Sequence, residues 1–336
     1  MNILITGATG FLGSRLVEDF FQRDTIHHIV ATGRKPVAER MIDSPKVSYV
    51  FGDLTDEYFF STLFDQNSID MVINCASLSS PWGRYEQFYQ ANCVTQKHMI
   101  QYSKQYGILR FIYISSPTIY FNYQHAIDLK EEAPLPKKFV NHYATTKKRA
   151  EDMLCASGLE YIIIRPRAII GRGDSVIMPR LLRSYQEGRL KILGDGKNVV
   201  DMTPVSNLTE AIHCAVMADK TACNTDYNIS NGEGVVLWDM INLVLRLMGL
   251  KAISKKVPLG ILMIVASMME WKSRWFSPDQ EPTLTRYTVG VLAMHCTFSI
   301  DKAKKLLGYQ PKQSIPEAIH EFAEWYKQKE HDVTKV

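Results

Sequence analysis

The stretch "NILITGATGFLG", residues 2–13, decides how the rest of the chain is read. Its first five residues predict a buried strand, and "FLGSRLVEDFFQR" behind them predicts an amphipathic helix. Between the two, Gly7, Gly10 and Gly13 form G-x-x-G-x-x-G. Glycine at 7 permits a tight turn. Glycine at 10 lets backbone approach a pyrophosphate resting on the helix N-terminus, and glycine at 13 lets helix lie close on sheet. Phe11 and Leu12, the first helical residues, complete this cofactor cradle. A glycine triplet alone is weak evidence; its place between a strand and a helix gives it weight.

The same rhythm continues outward. "HIVAT" (28–32), "VSYVF" (47–51), "DMVINC" (70–75), "RFIYIS" (110–115) and "EYIIIR" (160–165) are apolar runs without alternation, the signature of parallel strands buried on both faces. Helical patterns fall between them, notably at 86–106 and 142–157. The expected fold class is α/β: a Rossmann doubly wound parallel sheet with a smaller, mixed α/β C-terminal substrate domain. Residues 1–170 are expected to form the dinucleotide-binding domain. Residues 171–330 are expected to form a substrate-binding part interleaved with it, with helices at 206–218, 236–248 and two more near the end.

Composition narrows the function classes. With 46% hydrophobic and 22% charged residues the chain is globular rather than disordered, and a net charge of +4 gives no argument for nucleic acid. The six cysteines form no C-x-x-C pair, so no metal site is readable, and they fit reduced thiols in a cytoplasm. The first ten residues are already structural, which leaves no room for a signal peptide. The longest apolar run, "LGILMIVASMM" (259–269), is about half of what a bilayer requires. It is expected to be a buried or substrate-facing helix, with peripheral membrane contact as the other reading.

Strand ends carry further candidates. After the second strand comes "TGRKP", with Arg34 and Lys35 where an acidic residue would receive the ribose of NAD. A guanidinium suits a 2′-phosphate, so NADP(H) is expected over NAD(H), the alternative being that Arg34 is a solvated surface residue. In "GDLTD" Asp53 can reach an adenine amino group, with Leu54 packing on the ring. In "NCAS" the small residues Ala76 and Ser77 let backbone run close to the cofactor. "YISSPTIY" places Ser115 and Ser116 after the fifth strand, and "NHYATTKKRAE" places Tyr143 and Lys147 one helical turn apart.

In the order and spacing of these motifs the chain resembles the extended short-chain dehydrogenases/reductases, over nearly its whole length. "IIIRPRAIIGRGD", "GDGKNVVDMTPVSNLTEAI" and "FSIDKAKKLLGYQP" resemble the C-terminal half of that family. The resemblance implies an NAD(P)-dependent enzyme acting on CH–OH groups, with Ser116, Tyr143 and Lys147 as catalytic residues. A phenol has a reference pKa of about 10, and a nearby ammonium favours its ionised form. Lys147 should also hold the nicotinamide ribose, and Ser116, rather than Ser115, should orient the carbonyl. Asn92 matches a family position near the cofactor, with a helix-packing amide as the alternative. Pro166 falls where the backbone meets the nicotinamide carboxamide. A homodimer through the 86–106 and 142–157 helices is also implied.

Three features bear on the reaction. Pro117 and Thr118 stand where the family's dehydratases carry an acidic pair, and Val200 precedes Asp201 where its nucleotide-sugar enzymes have a cation. Residues 257–276 are apolar and rich in Met and aromatics, as a bulky hydrophobic substrate would require. Similar segments look like the 3β-hydroxysteroid dehydrogenase branch, which includes reductases of 2-alkyl-3-oxoalkanoates. The leading expectation is a ketone/secondary-alcohol oxidoreductase acting on a hydrophobic 3-hydroxysteroid-like or 3-oxoacyl-like substrate. The alternatives are a nucleotide-sugar epimerase with retained cofactor and a non-catalytic cofactor-binding scaffold.

Overall fold

The computed structural model describes residues 1–333, with side chains to Lys329. Seven parallel strands form the central sheet: β1 (Asn2–Thr6), β2 (His28–Gly33), β3 (Val47–Phe51), β4 (Met71–Asn74), β5 (Arg110–Ile114), β6 (Tyr161–Pro166) and β7 (Thr225–Ile229). Their spatial order is β3-β2-β1-β4-β5-β6-β7. Ile3 of β1 lies opposite Ile29 of β2 on one side and Met71 of β4 on the other. The chain reverses direction across the sheet there, and such a switch point opens a crevice at the carboxyl ends of the strands.

Both faces of the sheet are covered, which explains why the strands read as continuous apolar runs. One face receives Leu16, Val17 and Phe20 of helix Phe11–Phe21 together with Leu208 and Ile212 of helix Val205–Met217. The other receives Phe60 and Leu63 of helix Glu57–Asp65, Met99 and Tyr102 of helix Thr95–Gln105, and Leu154 of helix His142–Cys155.

Strand β7 is not legible as an apolar run, because Asp226 and Asn228 interrupt it. Both polar side chains have partners: Asp226 pairs with Arg165 of β6, and Asn228 Nδ2 donates to the Leu129 carbonyl at 3.2 Å. The 86–106 helical pattern is broken in the middle by a π-helical turn, Tyr89–Val94. The C-terminal region adds a four-stranded sheet of short strands, including Val199–Val200 and Cys296–Phe298, and a separate apolar cluster around Trp238, Ile241 and Phe322. Helix Leu259–Phe276 is not the buried helix expected from its composition. Only Ala266, Glu270 and Ser273 are buried, while Trp271, Trp275 and Phe276 face outward.

Candidate active site

The glycine turn has the geometry the spacing requires. Gly7 adopts φ +64°, a conformation other L residues rarely adopt. A Cβ at Gly13 would lie 2.1 Å from the Gly7 carbonyl oxygen, so helix Phe11–Phe21 can approach β1 only with glycine there. Gly10 is the N-cap, and no side chain caps the helix. Uncapped amides at a helix N-terminus attract anions, so the turn fits a dinucleotide pyrophosphate. Phe11 and Leu12 are half-buried at its start, Phe11 lying against the Gly173 loop.

Around this cradle lie the ends of β2, β3 and β4. Gly33 sits so close to the turn that a Cβ there would meet Thr9 Oγ1 at 2.6 Å. Arg34 and Lys35 follow it, both exposed, and Arg34 helps hold the Asp53 carboxyl below its usual range. The first cause of that depression is the hydrogen bond from Thr55 N–H, at 2.9 Å. Asp53 Oδ1 also accepts from Thr55 Oγ1 at 2.8 Å, so one carboxylate oxygen is committed to its own turn. Leu54 is 8% exposed and belongs to the cluster of Phe60 and Leu63, so little of it is free to pack on a ring. The Ala76 N–H donates to Thr6 Oγ1 at 3.1 Å, and Ser77 is exposed beside it. Arg40 was not singled out by any motif, yet its guanidinium donates to the Thr9 carbonyl at 2.9 Å and adds a second cation near the turn.

Asn92 lies in the π-helical turn and is almost completely buried. Its Oδ1 accepts from Leu78 N–H at 2.8 Å, and its Nδ2 donates to Thr146 Oγ1 at 3.0 Å and Leu78 O at 3.3 Å. It therefore ties the loop after β4 to the helix bearing Tyr143. π-Turns often accompany functional sites, and this one aims an amide where a regular helix would not. Pro166 is buried at the end of β6, opposite Ile229 of β7.

Helix His142–Cys155 begins with Asn141 as N-cap, its Oδ1 accepting from Ala144 N–H at 2.9 Å. That cap places Tyr143 in the first turn and Lys147 one turn on. Ser116 caps the short 3₁₀ helix Pro117–Tyr120, accepting from Thr118 N–H at 3.2 Å and donating to Thr118 Oγ1 at 3.0 Å. The Tyr143 phenol meets Ser116 and Ser79. Burial pushes its pKa up, and contact with the two serine hydroxyls pulls it partly back. Ser115 has a buried Oγ without a partner among the described residues. Thus Ser116, and not its neighbour, is the serine of this pair that acts on the Tyr143 phenol.

Lys147 is 1% exposed. Its Nζ donates to the Ile114 carbonyl at 2.7 Å and lies 4.7 Å from the centre of the Tyr113 ring. Burial pushes its pKa down to about 8, with Cys75 and Glu151 opposing. The forces acting on the Tyr143 phenol are burial, the two serines and Tyr287, so here the serines rather than the lysine lean toward the phenolate. Glu151, one turn beyond Lys147, is paired with Arg165 of β6 through two hydrogen bonds of 2.9 and 2.7 Å. That buried pair fixes the helix against the sheet.

Besides Arg40, two residues of the site carry no signal in the sequence. Ser79 lies in an irregular loop after β4, and Tyr287 lies in helix Arg286–Ala293, far along the chain. The Tyr287 hydroxyl is 3.3 Å from Thr118 Oγ1, extending a hydroxyl chain from Ser116. No motif marks either position; only the tertiary fold brings them to Tyr143. Asp201 is buried, with Oδ2 accepting from Phe298 N–H at 2.8 Å and burial pushing its pKa up. Its carboxylate serves the small sheet.

Fold, glycine turn and clustered hydroxyls define an NAD(P)-dependent oxidoreductase of the extended short-chain dehydrogenase/reductase type. The chain belongs to the NAD dependent epimerase/dehydratase family, whose model matches residues 3–230. It is 30% identical to the 2-alkyl-3-oxoalkanoate reductase of Stenotrophomonas maltophilia, over 95% of this chain and 97% of that one. It is 29% identical to the 3beta-hydroxysteroid-dehydrogenase/decarboxylase isoform 1 of Arabidopsis thaliana, over 94% of this chain and 77% of that one. Among solved structures it is similar to UDP-glucuronic acid 4-epimerase from Bacillus cereus in complex with NAD, with a TM-score of 0.75 and 21% identity. That match covers 98% of this chain and 99% of the other. The structural likeness concerns the fold; the sequence likeness places the chain in the 3β-hydroxysteroid dehydrogenase and 2-alkyl-3-oxoalkanoate reductase branch. Among the described residues no helix is long and apolar enough to cross a membrane, and no group of His, Cys, Asp or Glu could hold a metal ion.

Proposed function

We propose that the protein is an NADP(H)-dependent ketoreductase/secondary-alcohol dehydrogenase for a bulky hydrophobic substrate, of the 3-oxoacyl or 3-hydroxysteroid kind. The contact of Tyr143 with Ser116 beside the glycine cradle carries this reading. With its pyrophosphate held by the glycine turn, a nicotinamide dinucleotide would supply or accept the hydride. Ser116 donates a hydrogen bond to the carbonyl oxygen and fixes its position. Tyr143, kept protonated by burial, delivers its proton to that oxygen as negative charge develops there. Ser79 stabilises the tyrosinate left behind. Lys147, still cationic at neutral pH, holds the ribose hydroxyls.

Arg34, with Arg40 behind it, supports NADP(H) over NAD(H): both are cations near the turn, and no carboxylate ends β2. The names of the two relatives support the substrate class. In a nucleotide-sugar epimerase the alcohol would be regenerated without net cofactor consumption. Val200 offers no cation to a diphosphate, which favours the reductase. We place the substrate over the C-terminal segments that follow β6 and β7, and a two-fold dimer along the helical segments 86–106 and 142–157. The test is whether a 2-alkyl-3-oxo ester oxidises NADPH stoichiometrically. Turnover without change in the nicotinamide absorbance would favour the epimerase.

A further inference from the structure

Helix Leu259–Phe276 is apolar on two sides: Leu259, Leu262 and Met263 pack against the C-terminal core, and a second apolar row faces away from it. Its buried side carries Ala266, Glu270 and Ser273. Its outer side carries Ile261 (58% exposed), Ile264 (64%), Met268 (66%), Trp271 (62%), Trp275 (73%) and Phe276 (73%). The spacings 261, 264, 268, 271 and 275 are the three-and-four steps of one helical face. A row of large apolar side chains with this exposure is not needed to cover a protein surface, where single exposed residues are normal.

The flanks of the row are cationic. Lys251 and Lys255 precede the helix and Lys272 lies within it, and none has an acidic partner among the described residues. The nearby acids are already engaged: Glu270 with Arg286 and Arg274, Asp279 with Arg84, and Glu281 with Arg180. A second copy meeting this face across a two-fold axis would set lysines against lysines. A helix of 18 residues spans about 27 Å, with tryptophan at one end and lysines on the flanks. Such a helix suits a polar–apolar boundary with negative charge, the aromatic rings at headgroup depth and the cations on the phosphates.

We propose that this face docks the protein onto an anionic lipid surface, the helix lying in the plane of the interface. It does not span. The inner side of the same helix leads to the catalytic hydroxyls: Glu270 accepts from the Arg286 N–H at 2.7 Å, and the next residue, Tyr287, reaches Thr118. The Arg274 guanidinium lies 5.7 Å from the centre of the Trp82 ring and helps push the pKa of His142, beside Tyr143, down after burial. A docked protein would thus open its site toward the lipid; that use, unlike the docking itself, rests on the hydrophobic-substrate reading.

The test is co-sedimentation of the full chain with vesicles of phosphatidylcholine alone and of equimolar phosphatidylcholine and phosphatidylglycerol. The expected result is binding to the anionic vesicles, weakened by salt. A Trp271→Ser/Trp275→Ser variant should lose affinity about tenfold or more. NADPH oxidation with a water-soluble ketone, measured separately without lipid, should be the same for both proteins, so failure of the docking and failure of the reductase reading are separable. Absence of binding to either vesicle overturns the proposal, as does equal binding by the variant. A dimer in sedimentation that the variant abolishes, without vesicle binding, also overturns it and assigns the face to a second copy.

Discussion

Replacing Lys147 by Met should make the protein inactive and more stable at neutral pH. The amine is 1% exposed, and its pKa is pushed from 10.5 down to about 8. Keeping it charged inside the folded chain therefore costs about 3 kcal/mol. The sign follows from the depressed value. The unfolded chain binds the proton more tightly, so the cost is fully present below about 8, fades as pH rises, and is gone above 10.5. Methionine removes the charge but also the bond to the Ile114 carbonyl, worth about 1 kcal/mol for a neutral amine. The net expectation is a gain of about 2 kcal/mol at neutral pH, crossing to a loss of about 1 kcal/mol above pH 10.5. Urea denaturation of the cofactor-free protein and variant, at neutral and strongly alkaline pH, measures both ends. A variant less stable by the same amount at both would refute the reasoning, because the buried charge would then carry no cost.

Other perturbations separate the remaining parts. Arg34→Ala should raise the KM for NADPH about tenfold or more, the loss of charged hydrogen bonds to a phosphate, and leave that for NADH unchanged; equal effects on both would remove the 2′-phosphate role. Tyr287→Phe should lower kcat/KM about tenfold without changing NADPH binding, since it breaks the 3.3 Å link to Thr118 and loosens Ser116. Full activity in that variant would show that the Arg286–Ala293 helix does not support the serine.

The legibility of this chain follows the range of its interactions. β1 to β6 and the glycine turn could be read because both causes are local: strands buried on two faces, and a turn in which a Cβ on Gly13 would lie 2.1 Å from the Gly7 carbonyl oxygen. β7 could not, because the side chains of Asp226 and Asn228 find their partners, Arg165 and the Leu129 carbonyl, in distant segments. Tyr143, Lys147 and Ser116 were visible as a spaced pattern. Ser79, Tyr287 and Arg40 were not, because each reaches the site from a segment with no periodic or motif signal. The 259–276 segment departs from the buried reading for a different reason. Its composition says buried, but hydropathy does not tell which face meets the protein, and here Glu270 and Ser273 take the inside.

The most direct test of the central claim is single-turnover oxidation of NADPH by a hydrophobic 2-alkyl-3-oxo ester, comparing the protein with Tyr143→Phe. The expected result is stoichiometric NADPH oxidation by the protein, slowed by about 10²–10⁴ in the variant while NADPH binding is kept. Oxidation at the same rate by both would contradict the assignment of the proton to Tyr143.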